Sequence, residues 1–497
     1  MSTADGLQAG GTSEHHGLNP VMPPLPVGFG FRLNPTTRVE RDGRTLWGGT
    51  GSSVVRLTDA GVRELRLAQG PLPLGSSGRR LGRRLVAAGL AYPLPPRPSD
   101  DSGVMIVIPV RDRASELERC LAALGRCPVL VVDDASRDEE RIRQVCEAHG
   151  ARLLRRDVNG GPAAARNTGL AAVDTPFVAF LDSDCEPAPD WLELLVGHLD
   201  DPLVCAVAPC IRPLPADADT GSTKALARYL DRRCALDLGE RHAAVRPLSP
   251  VPYVPTAALL VRRSALADGF DESLRYGEDV DLVWRLQKSG LQVRYDPSVI
   301  VGHREPRSWR SMLARRFLYG TSAGPLACRH PGHLTPVIAA PLTVLIALAL
   351  LLRQPLAALL IAATGSSNLA WNLRVLGIPA WRGPALVATS LLRLGRDVVR
   401  AAVTLYAPIL LLLIAVSRHP WAIATLLCLP YLAEWFECRP RLDPLRWTTA
   451  RIIEDAAYGC GVWRGCIQSR SVEPLLPSIV WRGVRRSDHH PPPHPRP

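Results

Sequence analysis

Between residues 104 and 182 the chain repeats one pattern that restricts its fold more than any other feature: a short apolar run, a turn, then a segment of helical periodicity. The runs are VMIVIPV, PVLVVDD, ARLLRRD and PFVAFLD, and among them stand ASELERCLAALG and GGPAAARNTGLAAV. Strands that alternate with helices pair mostly in parallel, in a sheet covered on both faces. The expected class is therefore α/β with a mostly parallel sheet. Its functional residues belong beyond the carboxyl ends of the strands, where a doubly wound sheet opens a crevice. At 497 residues the chain exceeds one such core, so further units flank it.

Residues 1–27 are polar and then proline-rich, which reads as disorder, and no apolar signal-peptide core is visible, so the N-terminus is expected in the cytosol. Residues 28–93 read as a small winged-helix-like module. FRLNPTTRVERDGRTLWGG turns at Asp42 and Gly43 as a hairpin, and helical stretches follow from a cap at Thr58 or Asp59 and from near Ser77. Residues 94–103 are a proline-rich linker, and the α/β domain is expected over 104–333. From 334 to 436 the chain turns apolar. TPVIAAPLTVLIALALLL runs 18 residues without a charge, close to the ~20 that span a bilayer, and three less pure runs follow. Arg315, Arg316 and Arg329 precede this zone and Arg439, Arg441 and Arg446 follow it. Cytoplasmic flanks and two or four spans in a cell membrane are thus expected, with lipid as a partner. Just upstream, RSWRSMLARRFLYGTSAG (307–324) places Trp309, Met312, Leu313 and Phe317 on one face, as a helix lying in the membrane interface would. Residues 437–486 read as helical without a recognisable motif, and 487–497 as a disordered tail.

The formal charge of +12 comes almost wholly from arginine, since Lys224 and Lys288 are the only lysines. Without a basic stripe interleaved with stacking aromatics it does not indicate nucleic acid. The twelve cysteines lack C-x-x-C spacing and read as small buried apolar residues of a reducing compartment.

Acidic pairs follow two of the strands: Asp133 and Asp134 after VLVV, Asp182 and Asp184 after FVAFL. Two carboxylates beyond a strand end can hold Mg²⁺ or Mn²⁺ while leaving positions open to phosphate oxygens. Singly, each pair is better explained by the ordinary strand-ending and capping duties of aspartate. The order of motifs carries more weight: IPVRDR (108–113), VDDAS (132–136), GGPAAARNTGL (160–170), FLDSD (180–184), GFDESLRYGEDVDLVWRL (269–286) and VGH (301–303). A plain nucleotidyltransferase would need a glycine-rich phosphate loop after the first strand, and IPVRDRASELE has no glycine.

That succession resembles the inverting glycosyltransferases of family 2, which have the nucleotide-sugar-binding GT-A fold, over about residues 104–320. The resemblance implies that Pro109 and Arg111 border the nucleotide base, that Asp134 accepts from the base with Asp133 supporting its loop, and that Arg166 sits near base and diphosphate. It places Asp182 toward ribose and sugar, and makes Asp184 and His303 the metal-side residues. Asp279 becomes the general base, with Glu278 supporting it at a helix start. ARRFLYG (314–320) stands where processive synthases carry Q-x-x-R-W, which argues against long-chain synthesis.

The N-terminal module together with LWGGTGSSVVRLTDAG (46–61), RLVAAGLAYPLPP (84–96) and RRFLYGTSAGPLACRH (315–330) is similar to the glycosyltransferases of the actinobacterial mycofactocin system. The module also looks like the peptide-binding modules of ribosomal peptide maturation. This implies transfer of glucose from UDP-glucose to a peptide-derived redox cofactor, extended as a short β-linked oligoglucose chain. A lipid-linked or cell-wall glycosyltransferase and a non-catalytic membrane-tethered peptide scaffold are the two other readings.

Overall fold

The computed structural model describes residues 22–479 except 51–52, 69–73, 98, 126 and 216–220. The expectations for residues 1–21 and for the tail from 480 onward lie outside the described residues. In chain order the first unit holds β1 (Gly30–Leu33), β2 (Thr37–Val39), β3 (Thr45–Gly48), β4 (Ser53–Arg56), α1 (Asp59–Leu67), α2 (Ser76–Ala87) and β5 (Ala91–Leu94). Strands β2, β3 and β4 form one antiparallel sheet and β1 pairs with β5. The Asp42 carboxylate accepts the N–H groups of Arg44 and Thr45, fixing the turn between β2 and β3, and the Thr58 hydroxyl caps α1 by accepting from Gly61 N.

Two boundaries differ from the sequence expectation. Leu25, placed in the disordered 1–27 segment, is fully buried in the core of this unit with Phe29, Leu46 and Leu85, because Arg79 and Arg83 on α2 hold the backbone carbonyls around it. The 94–103 linker is pinned rather than free, as Arg97 pairs with Asp296 and Ser99 packs against Gly197. Arg83 also makes two 2.8 Å bonds to the buried Asp201, which takes a third bond of 2.7 Å from Arg294.

The α/β unit contains β6 (Val104–Val110), α3 (Ala114–Leu124), β7 (Val129–Asp134), α4 (Glu139–Ala148), β8 (Arg152–Arg156), α5 (Pro162–Ala171), β9 (Phe177–Leu181), β10 (Cys185–Pro187), α6 (Trp191–Val196), β11 (Val204–Pro213), α7 (Gly221–Arg233), β12 (Ala243–Ala244), β13 (Ala258–Arg262), α8 (Glu278–Lys288) and β14 (Gln292–His303). They form a nine-stranded sheet in the order β10-β14-β11-β13-β9-β6-β7-β8, with β12 on β14. Strands β8, β7, β6 and β9 are parallel, β13 runs against its neighbours, and β11 and β14 are again parallel. Ile106, Ile108, Val131 and Val132 are fully buried, as strands covered on both faces require. The chain leaves β6 for β7 on one side and returns to it as β9 on the other. The crevice therefore opens beyond Val110 and Leu181, at the switch in strand order.

Arg294 lies near the start of β14 and His303 ends it, so the first unit docks at the far end of the sheet, nine residues or ~30 Å from the crevice. Helices α9 (Trp309–Thr321), α10 (Ala323–Arg329), α11 (Pro341–Leu351), α12 (Pro355–Val375), α13 (Arg382–Leu405), α14 (Ala407–Val416), α15 (Pro420–Cys438) and α16 (Pro444–Ser469) complete the chain. The apolar face of α9 does not lie free for a membrane interface. Met312 is buried against Tyr229 and Leu230 of α7 and Trp447 of α16.

Helices α11 to α15 behave differently, leaving Leu351, Leu356, Leu392, Val416 and Trp421 largely exposed. Among the described residues one helix, α12, is long and apolar enough to cross a membrane, at 21 residues or about 31 Å. All twelve cysteines are free, and Cys120, Cys185 and Cys205 are buried among apolar side chains.

Candidate active site

A cleft of about 1000 Å³ opens at the carboxyl ends of β6, β7 and β9 and continues between α8, α9 and α16. Pro109, Arg111, Asp134, Arg166, Asp182, Asp184, Glu278, Asp279 and His303 all line it. Asp133 does not. It is fully buried behind the loop after β7, where it accepts from Ser136 N at 2.9 Å and pairs with Arg155.

The side of the cleft over the parallel strands is tightly tied. Asp112 has a positive φ of 55° and its N–H donates to the Ser136 hydroxyl, while Arg137 N donates back to Asp112, so the loops after β6 and β7 hold each other. Asp134 accepts from Arg156 Nε at 3.0 Å and from the backbone N–H groups of Gly160 and Gly161 at 2.9 and 2.7 Å. A carboxylate has about four acceptor positions, so roughly one remains for a ligand.

Arg166, expected near base and diphosphate, stands on α5 in the floor of the cleft, 3% exposed. Its guanidinium donates to Asp182 Oδ1 at 2.7 Å and to Glu278 Oε1 at 2.8 Å and faces the Phe270 ring. Burial alone would depress its pKa, but the charges of Asp182 and Glu278 outweigh that and raise it. A buried guanidinium needs carboxylates on both arms, and the fold supplies them from β9 and α8.

Asp184 and His303 lie far apart in sequence and meet because Cys185 of β10 is in register with His303 of β14. His303 Nδ1 is 3.0 Å from Glu305, which leaves Nε2 facing Asp184 Oδ1 at 3.5 Å. Burial pulls the His303 pKa down, yet the bond to Glu305 and the charge on Asp184 raise it overall. Asp184 Oδ1 is buried with no hydrogen-bond partner, while Oδ2 accepts from Arg113 at 2.5 Å. An orphaned carboxylate oxygen opposite an imidazole nitrogen, whose other nitrogen is held by a carboxylate, fits a divalent cation with positions left for phosphate oxygens. Among the described residues there is no cluster of three or more His, Cys, Asp or Glu that would hold an ion without such help.

Asp279 occupies the first turn of α8, entered through Gly277 at φ +81°; a Cβ there would meet Ser322 and Leu326 of the adjoining helices at 2.8 and 2.9 Å. Its Oδ1 accepts from Val280 N at 2.8 Å, and Oδ2 has no hydrogen-bond partner among the described residues. Burial first, and then the charge of Glu278, push its pKa up to about 7, against the opposing pull of Arg166 and of the Val280 N–H. That suits a base working near neutrality. Asp281 turns away, held by Arg285 and His330 at 2.7 and 2.8 Å.

Four tyrosines that sequence reasoning did not single out also line the cleft: Tyr253, Tyr276, Tyr319 and Tyr458. They come from separate elements and share no local motif. Arg113, which holds Asp184, was visible within IPVRDR but carried no distinguishing signal.

A strand-order switch with carboxylates at its strand ends, the Asp279 carboxylate facing them and an acidic, histidine-bearing corner between all meet in this one cleft. The sequence pattern of glycosyl transferase family 2 matches residues 105–270. The chain is also 37% identical over 496 residues to the pre-mycofactocin glycosyltransferase of Mycobacterium tuberculosis, covering 92% of this chain and 98% of that protein. The chain belongs to glycosyl transferase family 2 and is a glycosyltransferase with the GT-A fold. The Haloferax volcanii glycosyltransferase AglE is 28% identical over 44% of this chain and 71% of its own length. Among solved structures, the mannosyltransferase PcManGT from Pyrobaculum calidifontis, in complex with GDP-Man and Mn²⁺, aligns with a TM-score of 0.43 at 20% identity, over 74% of this chain and 89% of that one.

Proposed function

We propose that the enzyme transfers glucose from UDP-glucose, with inversion, to the peptide-derived precursor of mycofactocin and extends a short β-linked oligoglucose chain. The acceptor follows the full-length likeness to the M. tuberculosis pre-mycofactocin glycosyltransferase. The observation that carries the chemistry is Asp279, seated in the cleft with one carboxylate oxygen unpartnered and its pKa near 7.

The acceptor hydroxyl attacks the anomeric carbon from the face opposite the diphosphate. The new C–O bond forms as the sugar–phosphate C–O bond breaks, the electron pair leaves with the diphosphate, and Asp279 takes the hydroxyl proton. Arg166 holds Asp182 on the donor side and Glu278 beside the base in fixed relation, so donor and base share one support. Pro109 and Arg111 border the base, and the remaining acceptor position of Asp134 reads its imide edge. Asp184 and His303 are the residues that would hold Mg²⁺ or Mn²⁺, and a cation bound there stabilises the charge of the departing diphosphate.

We read the first unit as a peptide-binding, winged-helix-like module. Helices α11 to α15 are the membrane-associated region of a cytoplasmic-face, multi-pass protein, supported by the exposed leucines and tryptophans on them. That same apolar surface favours one alternative, a lipid-linked acceptor. Incubating the full chain with a panel of nucleotide sugars and Mn²⁺, then mass spectrometry of a pre-mycofactocin and a polyprenyl-phosphate acceptor, separates the two. Addition of hexose units to the peptide-derived acceptor alone supports the proposal, and addition to the lipid alone overturns it.

A further inference from the structure

We propose that the helical hairpins α11–α12 and α14–α15 are arginine-tipped arms that bind an anionic lipid surface, lying in its interface from the enzyme's side without crossing the bilayer. This rests on the membrane reading given above and narrows it, with repeated entries on one face in place of full crossings.

Both ends of each hairpin are fastened to the enzyme. The chain enters α11 from β15 (Ile338–Ala339), which pairs with β16 (Ser478–Ile479), and Ile338 itself lines the cleft. It leaves α12 at Leu376, whose carbonyl accepts from the Thr45 hydroxyl of the first unit at 3.3 Å. Beside it Gly377 lies at φ +78°, where a Cβ would stand 2.9 Å from the same hydroxyl oxygen. Arg382 at the start of α13 completes that contact, 2.9 Å from Glu40 and over the Trp47 ring. The second hairpin starts at Tyr406, whose hydroxyl donates to the Leu475 carbonyl. It ends where Tyr431 and Trp435 of α15 donate to Asp455 and to the Leu442 carbonyl, both at 2.8 Å.

Length then decides how far the arms reach. Helix α11 has 11 residues and α14 has 10, about 16 and 15 Å at ~1.5 Å per residue. The hydrocarbon of a bilayer is ~30 Å thick. An arm whose root is bonded to the enzyme cannot set a tip that near on the far side. Helix α12 is long enough by itself, yet it starts at such a tip and ends on the first unit, so it returns to the enzyme.

The tips name the partner. Residues 341–375 and 407–433 contain no aspartate or glutamate. Arg353 stands in the turn of one hairpin and Arg418 in the turn of the other, both exposed and neither paired with a carboxylate among the described residues. The arginines of α13 differ, since Arg382, Arg396 and Arg400 are matched to Glu40, Glu437 and Glu434. Around the two unmatched charges Leu351, Leu352 and Leu356 at one tip, and Val416 and Trp421 at the other, are each more than 60% exposed. An arginine driven to the bilayer centre is costly, so the tips belong at headgroup depth. There the guanidinium meets lipid phosphate while the leucines and Trp421 enter the acyl boundary. The same hairpins on a second copy of the chain offer an arginine no counter-charge, whereas an anionic leaflet does.

The full chain is floated with vesicles of phosphatidylcholine alone or with phosphatidylglycerol added. Binding should require the anionic lipid and fall at least ~10-fold in the double variant Arg353→Gln, Arg418→Gln, since each arginine near such a surface contributes roughly a factor of five. UDP affinity should be unchanged there, because neither residue lines the cleft, and this separates lost lipid contact from misfolding. Topology is read with a membrane-impermeant thiol reagent on cells carrying Gln354→Cys or Ser417→Cys. Labelling above that of the natural chain is expected only after the cells are opened. Labelling from outside means that the hairpins cross, which overturns the arms and leaves the membrane reading standing. No labelling even in opened cells puts the tips in hydrocarbon and overturns the interfacial placement. Equal binding to both vesicles, or binding untouched by the double variant, overturns the arginine tips. A chain that binds neither vesicle and runs as a soluble dimer overturns the arms and the membrane reading together, with a second copy covering the leucines.

Discussion

The two halves of the cleft are built on opposite principles. Over β6, β7 and β9 most carboxylate oxygens are already paired, Asp134 with a glycine turn and Arg156, Asp182 with Arg166 and one oxygen of Asp184 with Arg113, while behind the cleft Asp133 is tied to Ser136 and Arg155. Across the cleft, Asp279 keeps a free oxygen and four phenols have no protein partner. Under the proposed function the first half is a preformed mould for the part that nucleotide-sugar donors share, and its preorganisation costs nothing at the moment of reaction. The second half, on the same proposal, holds its polar groups open for the acceptor. Mutations should accordingly act on donor affinity in one half, and on turnover and acceptor choice in the other.

The largest effect that would sharpen this division belongs to Asp279→Asn. Removing the base should lower kcat by ~10³ or more while UDP affinity, measured calorimetrically, stays within about twofold. Turnover retained within tenfold would remove Asp279 from the role. On the other side, Asp184→Ala should weaken Mn²⁺-dependent UDP binding by about 10–100-fold and leave metal-free UDP binding little changed. An unaltered metal requirement would break the assignment of Asp184 and His303.

The pH dependence is the next smaller effect. A base must be deprotonated to act, and burial beside Glu278 raises the Asp279 pKa to about 7, so activity should be full above that value and fall as pH drops through it. The acid limb of kcat/KM should therefore lie near pH 7, well above an ordinary carboxylate. Glu278→Gln removes the like charge and should move the limb to lower pH, whereas Asp133→Asn, outside the cleft, should leave it in place. A limb that ignores Glu278 would mean another group sets it.

The contrast between the halves also explains what could be read in the sequence. Strands β6, β7 and β9 and the aspartates that follow β7 and β9 are legible from local patterning, because a parallel strand buried on both faces is continuously apolar and its acidic residues fall at its end. The pairing of Asp184 with His303 depends on an antiparallel register between β10 and β14, which no local pattern encodes. Arg166 on an alanine-rich helix gives no sign of being buried between two carboxylates, since one of them arrives from α8. Likewise, α9 reads as a membrane-interface helix because amphipathicity records an apolar face and not what covers it. The cover is α7 and α16. Tyr253, Tyr319 and Tyr458 lie on elements brought together only by tertiary packing, so that wall of the cleft had no motif to find.

The smallest expected effect tests whether the donor half is rigid by design of its loops. Asp112 sits at positive φ, a conformation that non-glycine residues adopt at a cost, and its N–H is satisfied by the Ser136 hydroxyl at 2.9 Å. Ser136→Ala deletes that acceptor without changing the cleft wall. The loss should be ~1 kcal/mol, the net worth of one such bond. Spread over a loop that carries Arg111, it should appear as a two- to fivefold higher KM for the donor (~1 kcal/mol at ~1.4 kcal/mol per tenfold) with kcat unchanged. Acceptor KM should not move, because no residue of the α8, α9 and α16 wall touches this tie. If acceptor KM rose with donor KM, the two halves would share one flexible frame, and the division between a preformed donor mould and an open acceptor wall would have to be given up.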